Sequence, residues 1–218
     1  MKSALRSIIK YPARNIIYAL LLTTAFTTIT LLINTYFTGQ NLLKLFNEFR
    51  ASLESQEELF AHRELFGVRE VIQSSASSLI PVAALLILLC ALVLPFLQYL
   101  FSIGRGYEIG ILRALGMSKG RAWLKLLIEN ILLSIAALAT TLTIATTTHK
   151  RFSVSLLAID NDAMDLMTET FGDIFISFNW QAVYFVFGLV IVITVISAGL
   201  SNILISNNAP LKLIRNYK

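Results

Sequence analysis

Four long apolar blocks, at residues 16–37, 79–103, 123–147 and 181–206, constrain this chain more than anything else in it. About 30 Å of hydrocarbon crossed at about 1.5 Å per residue needs some 20 mainly apolar residues, and each block meets that length. None carries Lys, Arg or Asp between its end turns. Only 14% of the chain's 218 residues are charged, well below the roughly one quarter of soluble domains. The expected fold class is an all-α membrane protein with four transmembrane helices. The first block follows Lys2, Arg6, Lys10 and Arg14, as a secretory signal would, but its length and the missing small-residue cleavage site favour a retained helix.

Charge placement orients the spans. The N-terminus, the 104–125 connection (Arg105, Arg113, Lys119, Arg121, Lys125) and the tail (Lys212, Arg215, Lys218) hold twelve of the eighteen basic residues. The other side carries Lys44, Arg50, Arg63, Arg69, Lys150 and Arg151, and eleven of the thirteen acids. By the positive-inside rule both termini are expected in the cytoplasm. Anionic lipid headgroups account for the net charge of +5, so no nucleic-acid partner is implied.

The expected organisation is a cytoplasmic amphipathic helix (1–14), a first span (15–37), an extracytoplasmic helical hairpin (38–78) and a second span (79–103). A cytoplasmic elbow (104–122), a third span (123–147), an extracytoplasmic acidic loop (148–180), a fourth span (181–206) and a cytoplasmic tail (207–218) follow. Pro12 permits a bend into the first span, and Pro95 is expected to kink the second. Thr23, Thr24, Thr27, Thr28 and Thr30 are read chiefly as hydroxyls that bond back to the preceding turn. In the short outer stalk, Leu42, Leu45, Phe46, Phe49 and Leu53 recur at helical spacing, with a turn expected near Gly67. Phe46, Phe49 and Leu53 form either a contact surface for an outside partner or the inner face of the hairpin or a dimer.

Residues 148–180 show no clear period, and Asp160, Asp162, Asp165, Glu169 and Asp173 lack the glycine of a calcium loop. A solvated acidic loop is expected, with Asn179, Trp180 and Tyr184 at the outer interface. Cys90 reads as a packing residue, and His62 and His149 have no partners at metal-ligand spacing, so no metal site is expected. There is no phosphate-binding G-x-x-x-x-G-K-[ST] loop and no nucleophile–base–orienter set, so the chain is not expected to be an enzyme.

Between the second and third blocks Ile109, Leu112 and Leu115 recur every third residue, and Gly116 bounds this short amphipathic stretch. Ser118 is placed to cap the next helix. The resulting elbow is expected to present Leu115, Gly116 and Met117 at its tip. Such an elbow fits the groove of a soluble partner, and it equally serves as a plain connection. Glu129, about two turns inside the third block, costs about 2–3 kcal/mol on insertion and is expected to couple to Arg121 or to Lys125, its i−4 neighbour.

The run YEIGILRALGMSKGRAWLKLLIENILLS resembles the signature of the FtsX-like (MacB-like) permeases of ABC systems, R-x-E-I-G-[IV]-L-[RK]-A-[LI]-G-x-[ST] with a later helix glutamate. Glu108, Ile109, Gly110, Leu112, Arg113, Ala114, Gly116 and Ser118 match it, as does Glu129, while Tyr107 stands where a basic residue is usual. ALRSIIKYPARNIIYALLLT and APLKLIRNYK are similar to the family's opening and closing. The resemblance implies a non-catalytic permease subunit in a bacterial-type cytoplasmic membrane. Its elbow, Glu108 to Ser118 with Leu115 and Met117, would dock on a cytoplasmic ABC ATPase that itself binds ATP and Mg2+, so no cofactor is expected on this chain. Pairing as a homodimer or with a second permease is implied, with export or extraction of a peptide or lipid-like substrate, or pure mechanotransmission, as the work done. The extracytoplasmic insert is far shorter than in many relatives. The alternative function is a membrane anchor or scaffold that recruits an ATPase or an extracytoplasmic enzyme without moving cargo.

Overall fold

The computed structural model describes residues 12–52, 63–103, 106–171 and 177–207. They form six helices: α1 (Pro12–Ser52), α2 (Arg63–Ile103), α3 (Gly106–Ala114), α4 (Lys119–Leu156), α5 (Asn161–Phe171) and α6 (Trp180–Asn207). There is no strand among the described residues. Stretches of α1, α2, α4 and α6 are long and apolar enough to cross a membrane. The N-terminal amphipathic segment lies almost wholly outside the described residues, and α1 opens at Pro12, whose fixed φ and missing N–H suit a first helical position.

Two compact units make up the described chain. One gathers α1 up to Phe26, Leu88–Thr141 and α6 from Phe187 onward; the other gathers Thr27–Ile87 and Leu142–Val186.

In the first unit, α1 meets α4 through hydroxyls. Thr23 Oγ1 donates to the Ala19 carbonyl at 2.8 Å and lies 3.2 Å from Thr140 Oγ1, while Thr141 donates to the Thr23 carbonyl at 3.4 Å. The α1 threonines thus do both things open to them, bonding back along their own helix and across to the next. Tyr18 is buried and hydrogen-bonds Ser197 of α6.

The second unit has its own apolar core: Leu42 and Phe46 of α1, Ile72 and Ala76 of α2, then Leu157, Ile159 and Met167. A Cβ built on Gly39 would lie 2.9 Å from Ala76 Cβ and 3.3 Å from Leu157 Cδ2, so the close approach of α1 and α2 requires glycine there. Thr35 Oγ1 lies 3.0 Å from Ser153 Oγ, both buried. Asn34 Oδ1 accepts from the Asn179 backbone N–H at 2.7 Å, and Asn179 Oδ1 in turn accepts from the Gln181 N–H at 2.9 Å, capping α6.

Three expectations change here. First, Gly67 lies inside α2. Glycine costs a helix only about 1 kcal/mol relative to alanine, and α2 runs through it unbroken. The Ser-rich stretch also stays helical, with the hydroxyls of Ser74, Ser77 and Ser78 satisfied by the carbonyls three residues back.

Second, much of 148–180 is helical rather than loop. α4 runs on to Leu156, and its end is a Schellman turn in which the Ala158 N–H reaches Ser155 O and the Ile159 N–H reaches Val154 O. Asp160 then caps α5, its Oδ1 accepting the Ala163 N–H at 2.8 Å. Met164, Met167 and Phe171 form the apolar face of α5 against the core, while Asp162, Asp165 and Glu169 face outward.

Third, Phe46 cannot serve as a contact for an outside partner. It is fully buried, edge-on to Phe171 with ring centroids 5.2 Å apart; Phe49 meets the same ring at 5.8 Å. The stripe is the inside of this core. Leu53, its last member, lies outside the described residues.

Candidate functional site

The short helix α3 carries Glu108 in its first turn and Arg113 in its last, both matched to the helix dipole. Its end is a complete Schellman motif. The Gly116 N–H bonds Arg113 O at 3.1 Å and the Met117 N–H bonds Leu112 O at 3.0 Å, with Gly116 at φ +94°, where glycine is favoured. Two residues on, Ser118 opens α4: its carbonyl accepts the Ala122 N–H at 3.1 Å and its hydroxyl the Arg121 N–H at 3.4 Å. Helix, turn and cap therefore follow one another without a free residue between them.

Side chains fasten this elbow to α4. Ile109 packs on Ala122 and Leu126 in a small buried cluster joined by Met117 and Trp123. Lys125 Nζ donates to Glu108 Oε1 at 3.0 Å, and the two side chains are only 13% and 23% exposed. The pair, largely screened from water, ties the first turn of α3 to α4, and truncating one partner leaves the other in a poorly solvated place. Trp123 Nε1 donates to the Ala198 carbonyl at 2.9 Å, so the base of α4 is also tied to α6.

The residues singled out in the sequence thus separate by what they touch. Glu108, Ile109, Leu112 and Met117 hold the elbow down, with Gly110 buried beneath it. Ala114, Leu115, Gly116 and Ser118 face outward, and Leu115 is 80% exposed. Met117 is not part of the tip as expected: the turn at Gly116 swings it back onto the cluster of Ile109, Ala122 and Leu126. Leu115 leaves the apolar stripe for the same reason, since α3 ends one residue before it.

Glu129 is 3% exposed on α4, beside the equally buried Asn130. Of the two partners expected for Glu129, Arg121 or Lys125, the second pairs with Glu108. Sequence spacing did not reveal that pair, because seventeen residues separate its members and no helical period links them.

No curated protein and no solved structure matches the chain. Residues 80–210, which hold most of α2, the elbow, α4, α5 and all of α6, match the family model described as FtsX-like permease C-terminal. With well over half its length inside that match, the chain belongs to the FtsX-like permeases, a multi-pass family of the ABC permease type whose members are generally non-catalytic and typically partner a cytoplasmic ATPase.

Proposed function

We propose that this chain is the permease subunit that carries the motion of a separate cytoplasmic ABC ATPase through a bacterial-type cytoplasmic membrane, with Leu115 and Gly116 as the point of docking. The observation that carries this reading is the contrast within the elbow. Its inner side is clamped by an ion pair and an apolar cluster, while a large aliphatic residue at its tip is left 80% exposed. A tip of that kind suits insertion into an apolar pocket on a partner, with Gly116 allowing close backbone approach.

Both termini and the elbow then face the cytoplasm, in keeping with the basic residues gathered on that side. Residues 38–78 supply the short extracytoplasmic stalk, with 148–180 on the same side. ATP and Mg2+ stay on the partner, and two copies, or this chain with a second permease, complete the assembly. Export or extraction of a peptide or lipid-like substrate, or mechanotransmission alone, is the work such an assembly performs.

The test is co-purification of the ATPase with wild-type chain and with Leu115→Asp and Gly116→Trp, alongside ATPase stimulation in lipid nanodiscs. Docking through the tip predicts loss of both in both variants, with unchanged thermal stability for Leu115→Asp. Full association and stimulation in both variants sinks the reading.

A further inference from the structure

α4 and α6 leave a gap between them over a long stretch. From Leu127 to Leu138 on one helix and from Phe187 to Val195 on the other they flank a cavity of about 310 Å3, lined by apolar side chains apart from Ser134 and Thr194. Those two hydroxyls stand 3.3 Å apart, and Thr194 already donates to the Val190 carbonyl at 2.8 Å. Strain passes between elements through close-packed atoms, so along this stretch a shift of α4 has little purchase on α6.

One turn before Leu127, toward the elbow, the two helices are joined directly. Trp123 Nε1 donates to the carbonyl of the buried Ala198 at 2.9 Å. Indole has that one donor and no acceptor, and a helix carbonyl has a second lone pair to receive it. The same side chain packs against the cluster of Ile109, Ala122 and Leu126 that holds the elbow down. Trp123 thus belongs at once to the seat of the elbow and to the edge of α6. Beside Ala198 stands Ser197, also buried; its hydroxyl donates to the Ile193 carbonyl at 2.7 Å, and it hydrogen-bonds the buried Tyr18 of α1. Elbow, α4, α6 and α1 are therefore gathered at one level by directional bonds, where apolar contact alone would let the helices slide.

We propose that Trp123 is a positioning residue for transmission: through its indole N–H a displacement of the elbow reaches α6 as well as α4. This rests on the reading above, in which the elbow receives the motion of an ATPase. Without the bond, the elbow would carry α4 past α6 and leave the gap between them to absorb the stroke.

The test needs no partner protein. In nanodiscs, amide exchange is read at residues 106–118 and 196–203, with and without Glu108→Gln, which loosens the elbow at its first turn. In the wild-type background the loosening is expected to speed exchange at both places, by about fivefold at 196–203, near the worth of one hydrogen bond. Trp123→Phe keeps a ring and removes the donor. There the elbow is expected to respond to Glu108→Gln as before, and 196–203 by less than about twofold. Benzothienylalanine at position 123 keeps the bicyclic shape without the N–H and is expected to act as phenylalanine does, which separates the bond from the packing. A side chain that merely fills space would lower stability in every background and leave the dependence on Glu108 intact. An equal response of 196–203 with and without the N–H overturns the proposal, and so does no response there in the wild type. Co-purification with the ATPase reads the docking separately. A chain that shows this coupling yet binds no ATPase keeps the relay and sinks the docking reading.

Discussion

Lys125 Nζ lies 3.0 Å from Glu108 Oε1, joining the first turn of the elbow helix to the second turn of the long helix that follows it. With both side chains mostly shielded, removing either leaves the other a poorly solvated charge. Glu108→Gln and Lys125→Met are each expected to cost about 1–3 kcal/mol, between the surface and fully buried cases. Thermal unfolding in detergent reads the loss, and faster amide exchange confined to residues 106–118 reads its location. The swap Glu108→Lys/Lys125→Glu is expected to recover part of it. A double variant no better than the sum of the singles would argue against the pair.

Gly116 and Ala158 occupy equivalent places in two Schellman turns, at φ +94° and +54°, yet one is glycine and the other alanine. Opposite substitutions should have opposite signs. Gly116→Ala is expected to destabilise by about 1–2 kcal/mol and Ala158→Gly to stabilise by about 1 kcal/mol, because only glycine enters this region without a steric cost. Equilibrium unfolding of the two variants side by side checks both signs.

At Gly39 the issue is space. Gly39→Leu is expected to unfold or dissociate the Leu42–Phe46–Ile72 core, and Gly39→Ala to weaken it by about 1–3 kcal/mol, since an added Cβ would sit 2.9 Å from Ala76 Cβ. Ala76→Gly in the same chain should relieve the alanine variant. Limited proteolysis at the α1 end reports the core directly. Equal cleavage of wild type and Gly39→Leu would refute the contact.

Phe46→Ala should cost about 3–5 kcal/mol, as for other large core aromatics, whereas Leu115→Ala should leave stability within about 0.5 kcal/mol. Phe46 is wholly buried and Leu115 lies almost wholly in solvent. Comparable losses at the two positions would mean that one of these environments is wrong.

These contrasts also mark where sequence reasoning succeeds. The four long helices follow from apolar length, and the elbow follows from local chemistry, a glycine stop and a serine cap two residues later. What local rules cannot see is which residues meet. The i−4 rule offered Lys125, beside Arg121, as a partner for Glu129, while the fold gave Lys125 Glu108. α5 was hidden for a related reason: Met164, Met167 and Phe171 have helical spacing, but a short apolar face interleaved with three acids behind an aspartate cap does not stand out until a core exists to receive it. Phe46 and Phe49 presented the complementary ambiguity. Their stripe was plain, and its partner was Phe171.

Gly116, the glycine of the elbow turn at positive φ, is held by two hydrogen bonds, one from its own N–H and one from the next residue's. A displacement applied at Leu115 therefore finds no slack torsion to turn before it reaches α4. In a mechanical linkage this is freedom from backlash: small strokes at the tip arrive at the shaft instead of being taken up in the joint. A single inserted residue between Gly116 and Ser118 would introduce that play without changing any surface the elbow presents.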